Sequence, residues 1–161
     1  LRIRHHRTIA TQGYGMVAQL RSWLPDAVGG IYWFYVDNPF VSAYVPVYAG
    51  VADVSPLYKT YDYNDFSEES ARWGVDFVEK LMLLRWQPAV KDLREARDPV
   101  ESAFFDEQPG VDAKAQDLLK KGAPAARTYL TDLTVSRMEK VVKLFRDLRR
   151  KLLTKYSGDM V

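Results

Sequence analysis

The hydrophobic period of this chain changes once, near Ser67, and that single change limits the folds open to it. Before Ser67 the apolar residues come in short, β-branched or aromatic stretches broken by Gly, Pro and the Asp37-Asn38 pair; after it they recur at three- and four-residue spacing. Strands first and helices afterwards argues an α+β fold with helices on one face of a mainly antiparallel sheet, rather than a doubly wound α/β fold. A chain of 161 residues is expected to form a single domain, mainly strands over 1–60 and mainly helices over 67–157.

In the first segment, Thr8 to Gln12 and Val17 to Ser22 read as paired strands around a Gly13-Tyr14-Gly15 hairpin turn. Ile31 to Val36 is continuously apolar and predicts a strand covered on both faces. Tyr44 to Val51 predicts another strand, and Pro46 inside it demands an edge position or a bulge.

In the second segment Ser67 is the expected N-cap of a helix bearing Gly74, Phe77, Val78, Leu81 and Leu84. Pro88 should close it. Asp98-Pro99-Val100-Glu101 carries cap, N1 and N3 signals for a new helix or a kink, and a further helix is expected from Val111 to Lys121, ended by Gly122. Val135, Met138, Val142, Phe145, Leu148 and Leu152 then mark one apolar stripe on a long final helix starting at Pro124.

Charge excludes some functions. Residues 1–80 hold seven Lys/Arg against nine Asp/Glu and residues 81–161 sixteen against twelve, so the net +2 gives a weak overall field. The final helix concentrates eight cations, Arg137 to Lys155, against Glu139 and Asp147. Either that face is a solvated back to a core-facing stripe, or it docks an acidic partner, a membrane surface or nucleic acid; the continuous stripe favours the first. Residues 22–58 hold no Lys or Arg to interleave with aromatics, so Trp23, Trp33, Trp73 and Trp86 read as packing rather than a base-stacking platform. Neither nucleic acid nor membrane is an expected partner. The longest apolar run, Ile31 to Val36, is far short of the ~20 residues of a spanning helix.

Reactive groups are few. Cysteine is absent, which removes disulfides, thiolate metal sites and a cysteine nucleophile from these residues. His5 and His6 are the only histidines; adjacent on a strand they would face opposite ways, so no metal site is assigned, and neither a GxSxG elbow nor a Ser-His-Asp set can be assembled. Gly13-Tyr14-Gly15 lacks the remainder of a dinucleotide fingerprint, and no cofactor is expected. Glu68-Glu69 sits where a helix N-terminus favours negative charge. Arg21 is the one cation between Arg7 and Lys59, in apolar and aromatic surroundings, and needs a partner. Asp26 or Asp37 could supply it, or its planar fork could hold a substrate carboxylate.

The run Val17-Ala18-Gln19-Leu20-Arg21-Ser22-Trp23-Leu24-Pro25, followed by Gly29-Gly30-Ile31-Tyr32-Trp33-Phe34, Asp37-Asn38-Pro39 and Ser42-x-Tyr44-x-Pro46-x-Tyr48-Ala49-Gly50-Val51, resembles the bacterial dipeptidase family (dipeptidase A-like) of cysteine-type N-terminal-nucleophile hydrolases. Ser70-Ala71-Arg72-Trp73 and Ser136 to Val142 continue the likeness. The resemblance implies part of an αββα sandwich in which a Cys at the mature N-terminus attacks a dipeptide's amide carbonyl, its own α-amino group acting as base at a pKa near neutrality. It is to the family's C-terminal portion. Implied with it are a partner in the N-terminal portion of the same protein, no catalytic residue in this chain, and substrate-facing roles for Arg21 and Asn38, although Asp37-Asn38-Pro39 is turn chemistry and an Asx-turn cap is the stronger reading of Asn38. The chain alone is then expected to be inert, soluble and, with an apolar sheet face uncovered, prone to form a homo-oligomer. The chain starts on Leu1 and is expected to begin inside a longer protein; nothing marks the compartment, bacterial cytoplasm or secreted.

Overall fold

A computed structural model describes residues 13–157. Its order is β1 (Tyr14–Leu20), a four-residue helix α1 (Asp26–Gly29), β2 (Gly30–Val36), β3 (Val45–Tyr48), a 3-10 turn Pro56–Tyr58, then α2 (Ala71–Met82), α3 (Trp86–Lys121) and α4 (Ala123–Ser157). The fold is α+β, as the change of period predicts. The Thr8–Gln12 strand, His5 and His6 lie outside the described residues.

The sheet is antiparallel in the order β1-β2-β3, with Tyr14 opposite Val36 and Leu20 opposite Gly30 in the first pair, and Trp33 opposite Pro46 in the second. Pro46 does lie on an edge strand, where its missing N–H costs no ladder bond. Gly13-Tyr14-Gly15 is not the expected turn, because Tyr14 and Gly15 are in β1. Gly15 serves close approach instead: the ring and hydroxyl of Tyr35 occupy the space a Cβ would need.

The helices cover the face that carries Ile31, Trp33 and Tyr48, and the other face is only partly buried. Ile31, Trp33 and Tyr48 point into the helical layer and are buried, with Trp33 stacked on Phe105 of α3 at 4.0 Å between ring centroids. On the opposite face Val36 and Val45 are buried and Tyr58 reaches Phe34, but Tyr14 (70%), Met16 (58%), Leu20 (78%) and Tyr32 (48%) remain exposed. Among the described residues the expectation that Ile31 to Val36 is dry on both sides fails at Tyr32, which faces outward and is exposed, while Val36 on the same face is buried. Among the tryptophans, Trp33 is core while Trp23 is 76% exposed.

Helix boundaries also shift. Ser70, not Ser67, caps α2 by accepting the Trp73 amide at 3.3 Å; the Ser67 hydroxyl accepts the Glu69 amide in the turn before it. Glu68 and Glu69 thus precede the helix, and their carboxylates bind Arg149 and Arg146 of α4 rather than a helix dipole. No break occurs at Asp98 or Val111, since α3 runs unbroken through Pro99 and Pro109. Asp98 Oδ1 accepts from Arg97 Nη2 at 2.7 Å in place of capping, and packing along α4 holds the helix past both prolines. Gly122, at φ 140°, ends α3 as expected, and α4 starts with Pro124 in its first turn. The stripe of Met138, Val142, Phe145, Leu148 and Leu152 is buried and joins the sheet and α2 in one apolar cluster. Among the described residues no helix is long and apolar enough to cross a membrane.

Candidate functional site

Arg21 follows the last residue of β1 and is buried. Its partner is neither Asp26 nor Asp37 but Asp112, midway along α3. Nη1 binds Asp112 Oδ2, Nη2 donates to Asp112 Oδ1 at 3.2 Å and to the Val28 carbonyl at 2.6 Å, and Nε reaches the Gly29 carbonyl at 3.4 Å. Four of the five guanidinium N–H groups are used, so one on Nη1 is left for any further acceptor. The Tyr48 hydroxyl donates to Asp112 Oδ1 at 3.2 Å; burial first, then the Asp112 charge, pushes that phenol up and keeps it protonated. Gly29 makes the turn possible, because a Cβ there would lie 2.7 Å from the Arg21 carbonyl oxygen. Beside Arg21 a pocket of ≈ 340 Å³ opens, lined by Leu20, Leu24, Asp26, Gly30 and Tyr32 among others.

Asn38 belongs to a second locus. Asp37 adopts the left-handed conformation at φ 58°, and Asn38 Oδ1 then accepts the Phe40 amide at 2.8 Å, an Asx turn. Asn38 Nδ2 donates to Glu79 Oε1 of α2 at 2.6 Å. The loop beyond is tied to α3: the buried Arg97 donates to the carbonyls of Phe40 and Val41, and Glu101 accepts the Tyr44 amide at 3.0 Å.

The ladder register separates the two loci. Arg21 lies just beyond Leu20, which pairs with Gly30, whereas Asn38 lies just beyond Val36, which pairs with Tyr14. Seven residues of strand place them roughly 20 Å apart, and an extended dipeptide spans only roughly 7 Å. One dipeptide does not touch both.

The Asn38 locus includes an acidic trio that sequence reasoning missed. Asp37, Asp76 and Glu79 each bring a carboxylate oxygen within 4.8 Å of the others. The i, i+3 spacing of Asp76 and Glu79 was a visible signal, but Asp37 joins only through the docking of α2 against the end of β2. Burial, then the Asp76 and Glu79 charges, push Asp37 up to about 6.

The basic face of α4 is largely paired within the chain. Arg137 meets Glu107, Lys143 meets Asp147, Arg146 and Arg149 meet Glu69 and Glu68, and Lys151 and Lys155 share Asp92. With the apolar stripe buried, these cations line the outer face of α4.

The sequence model of peptidase family C69 matches residues 3–98. Over 139 residues the chain is 23% identical to a "Probable dipeptidase B" of Streptococcus pyogenes serotype M1, a match covering 85% of this chain and 27% of that protein. The chain therefore spans about a quarter of the length of the curated relative it matches.

Proposed function

Because the chain belongs to peptidase family C69, whose model covers more than half of it, we propose that it is the C-terminal part of a dipeptide-hydrolysing enzyme. In this reading the attacking thiolate comes from a cysteine-bearing N-terminal portion of the same protein, since these 161 residues contain no cysteine. The role of the present residues is to complete the fold and form one wall of the pocket. The observation that carries the reading is the uncovered β1 side of the sheet. Tyr14, Met16, Leu20 and Tyr32 leave an apolar face uncovered among the described residues, which is the face a second sheet would bury in an αββα sandwich.

Arg21 and Asn38 stand at opposite ends of the β1–β2 ladder, so each is proposed as a candidate substrate-facing residue and at most one of them contacts a given dipeptide. Arg21 can contribute one N–H toward a substrate carboxylate, since Asp112 and two carbonyls hold the rest. Asn38 offers an amide fixed by Glu79 and its own turn. In the complete enzyme, the one that contacts substrate loses ten-fold or more in kcat/KM on conservative substitution (Arg21→Lys, Asn38→Asp) at an unchanged unfolding midpoint. An unchanged kcat/KM removes that residue from the site.

The reaction itself is tested on the complete polypeptide with unmodified dipeptides, before and after alkylation by iodoacetamide. Turnover abolished by alkylation is the expected result. Turnover indifferent to alkylation, or none before it, overturns the reading.

A further inference from the structure

The less buried face of the sheet carries a notch at the Gly30 end of β2. Gly30 pairs with Leu20 on β1, and its carbonyl accepts the Ala49 amide at 2.9 Å, so it lies between those two residues with no side chain to fill the gap. A Cβ on Gly30 would stand 3.2 Å from the Ala49 Cβ; glycine beside alanine leaves the floor low. Leu20, Leu24 and Tyr32 wall the recess, which is the pocket of ≈ 340 Å³ beside Arg21. That volume lies in the range of small-molecule sites, about 300–1,000 Å³.

The charges around the notch are unequal. Arg21 and Asp26 are its only charged lining residues, and Arg21 already gives Nη1 and Nη2 to the two oxygens of Asp112. Asp26, in the first turn of α1, is exposed, and its carboxylate makes no hydrogen bond or ion pair with any described residue. An apolar recess whose one unmatched charge is a carboxylate suits a ligand with an apolar body and a cationic head. On an open face such a pair gains little, but beneath a covering sheet it is desolvated and strengthens.

We propose that Asp26 receives the free α-ammonium of a substrate's first residue, and that the notch over Gly30 and Ala49 holds the apolar side chain of that same residue. Asp26 then selects unblocked amino termini. The proposal rests on the chain forming one wall of a dipeptidase pocket, and it needs no contact from Arg21.

L-leucinamide carries the ammonium and the apolar side chain without a carboxylate, and isocaproamide is the same molecule without the ammonium. Calorimetric titration of both into the complete polypeptide at about pH 6.5, where the α-amine is protonated, should show leucinamide binding at least ten-fold more tightly. Asp26→Asn should abolish that preference at an unchanged unfolding midpoint, and Ala49→Leu, which fills the notch, should weaken both probes. In steady-state assays on Leu-Gly, Asp26→Asn should raise KM about ten-fold with little change in kcat. Equal binding of the two amides by the wild-type polypeptide overturns the proposal whether or not a variant folds, and so does a folded Asp26→Asn that keeps the preference. Failure to hydrolyse any dipeptide overturns the peptidase reading instead, and the paired titration then decides the ammonium site by itself.

Discussion

The guanidinium of Arg21 and the carboxylate of Asp112 meet in a bidentate ion pair across 91 residues of chain, and Tyr48 closes on the same carboxylate. That pair fastens the loop after β1 to the middle of α3, so the sheet and the helical layer share one buried polar joint.

Removing half of the joint should cost more than removing all of it. Asp112→Ala strands a buried guanidinium and is expected to lower stability by about 3–5 kcal/mol, whereas the double change Arg21→Met with Asp112→Leu should recover most of that loss. Urea unfolding of the two variants measures both. A single variant as stable as wild type would show that the pair does not hold the layers.

Gly29 is expected to resist even the smallest side chain. A Cβ 2.7 Å from the Arg21 carbonyl must push backbone against backbone, so Gly29→Ala should destabilise by about 1–3 kcal/mol. Gly110, with nothing within 4 Å of its Cβ position and a helical place in α3, should gain stability as Gly110→Ala, by up to about 1 kcal/mol. Thermal unfolding midpoints moving in opposite directions are the expected readout.

Acid should loosen the C-terminal end of α4. Burial opposes ionisation of Asp92, but bonds from Lys151, Lys155 and Tyr156, at 2.8, 2.8 and 2.6 Å, overcome it and hold the carboxyl well below the usual range. A depressed pKa gives stability that is present above the unfolded value, about 3.9, and is lost as pH falls below it. Asp92→Asn should therefore be less stable than wild type at pH 7, the difference shrinking steadily below about pH 4. A gap that stayed constant down to pH 2 would contradict the assignment.

Much of the architecture could be read from residue order because it rests on local signals. The period change marks the border between strands and helices, Pro46 marks the edge, and Gly122 before Pro124 marks the turn between α3 and α4. What escaped depends on contacts between distant segments. Asp112 sits in α3 like any solvated acid until folding brings Arg21 to it, and the cap signals at Asp98 yield to Arg97 and to packing on α4. The Asn38 locus was legible as turn chemistry, but its link to Glu79 spans 41 residues and its acidic neighbours come from another element.

The open sheet face should be reactive toward apolar probes. Tyr14, Met16, Leu20 and Tyr32 are expected to bind ANS and to draw the isolated chain into oligomers on gel filtration, and Met16→Lys with Leu20→Glu should reduce both. A compact monomer with no ANS signal would mean that this face needs no cover.

The central claim is tested most directly by assaying the purified 161-residue chain on dipeptides beside the complete polypeptide. The expected result is turnover by the complete polypeptide and none by the 161 residues at any concentration. Reproducible hydrolysis by these cysteine-free residues alone would contradict it.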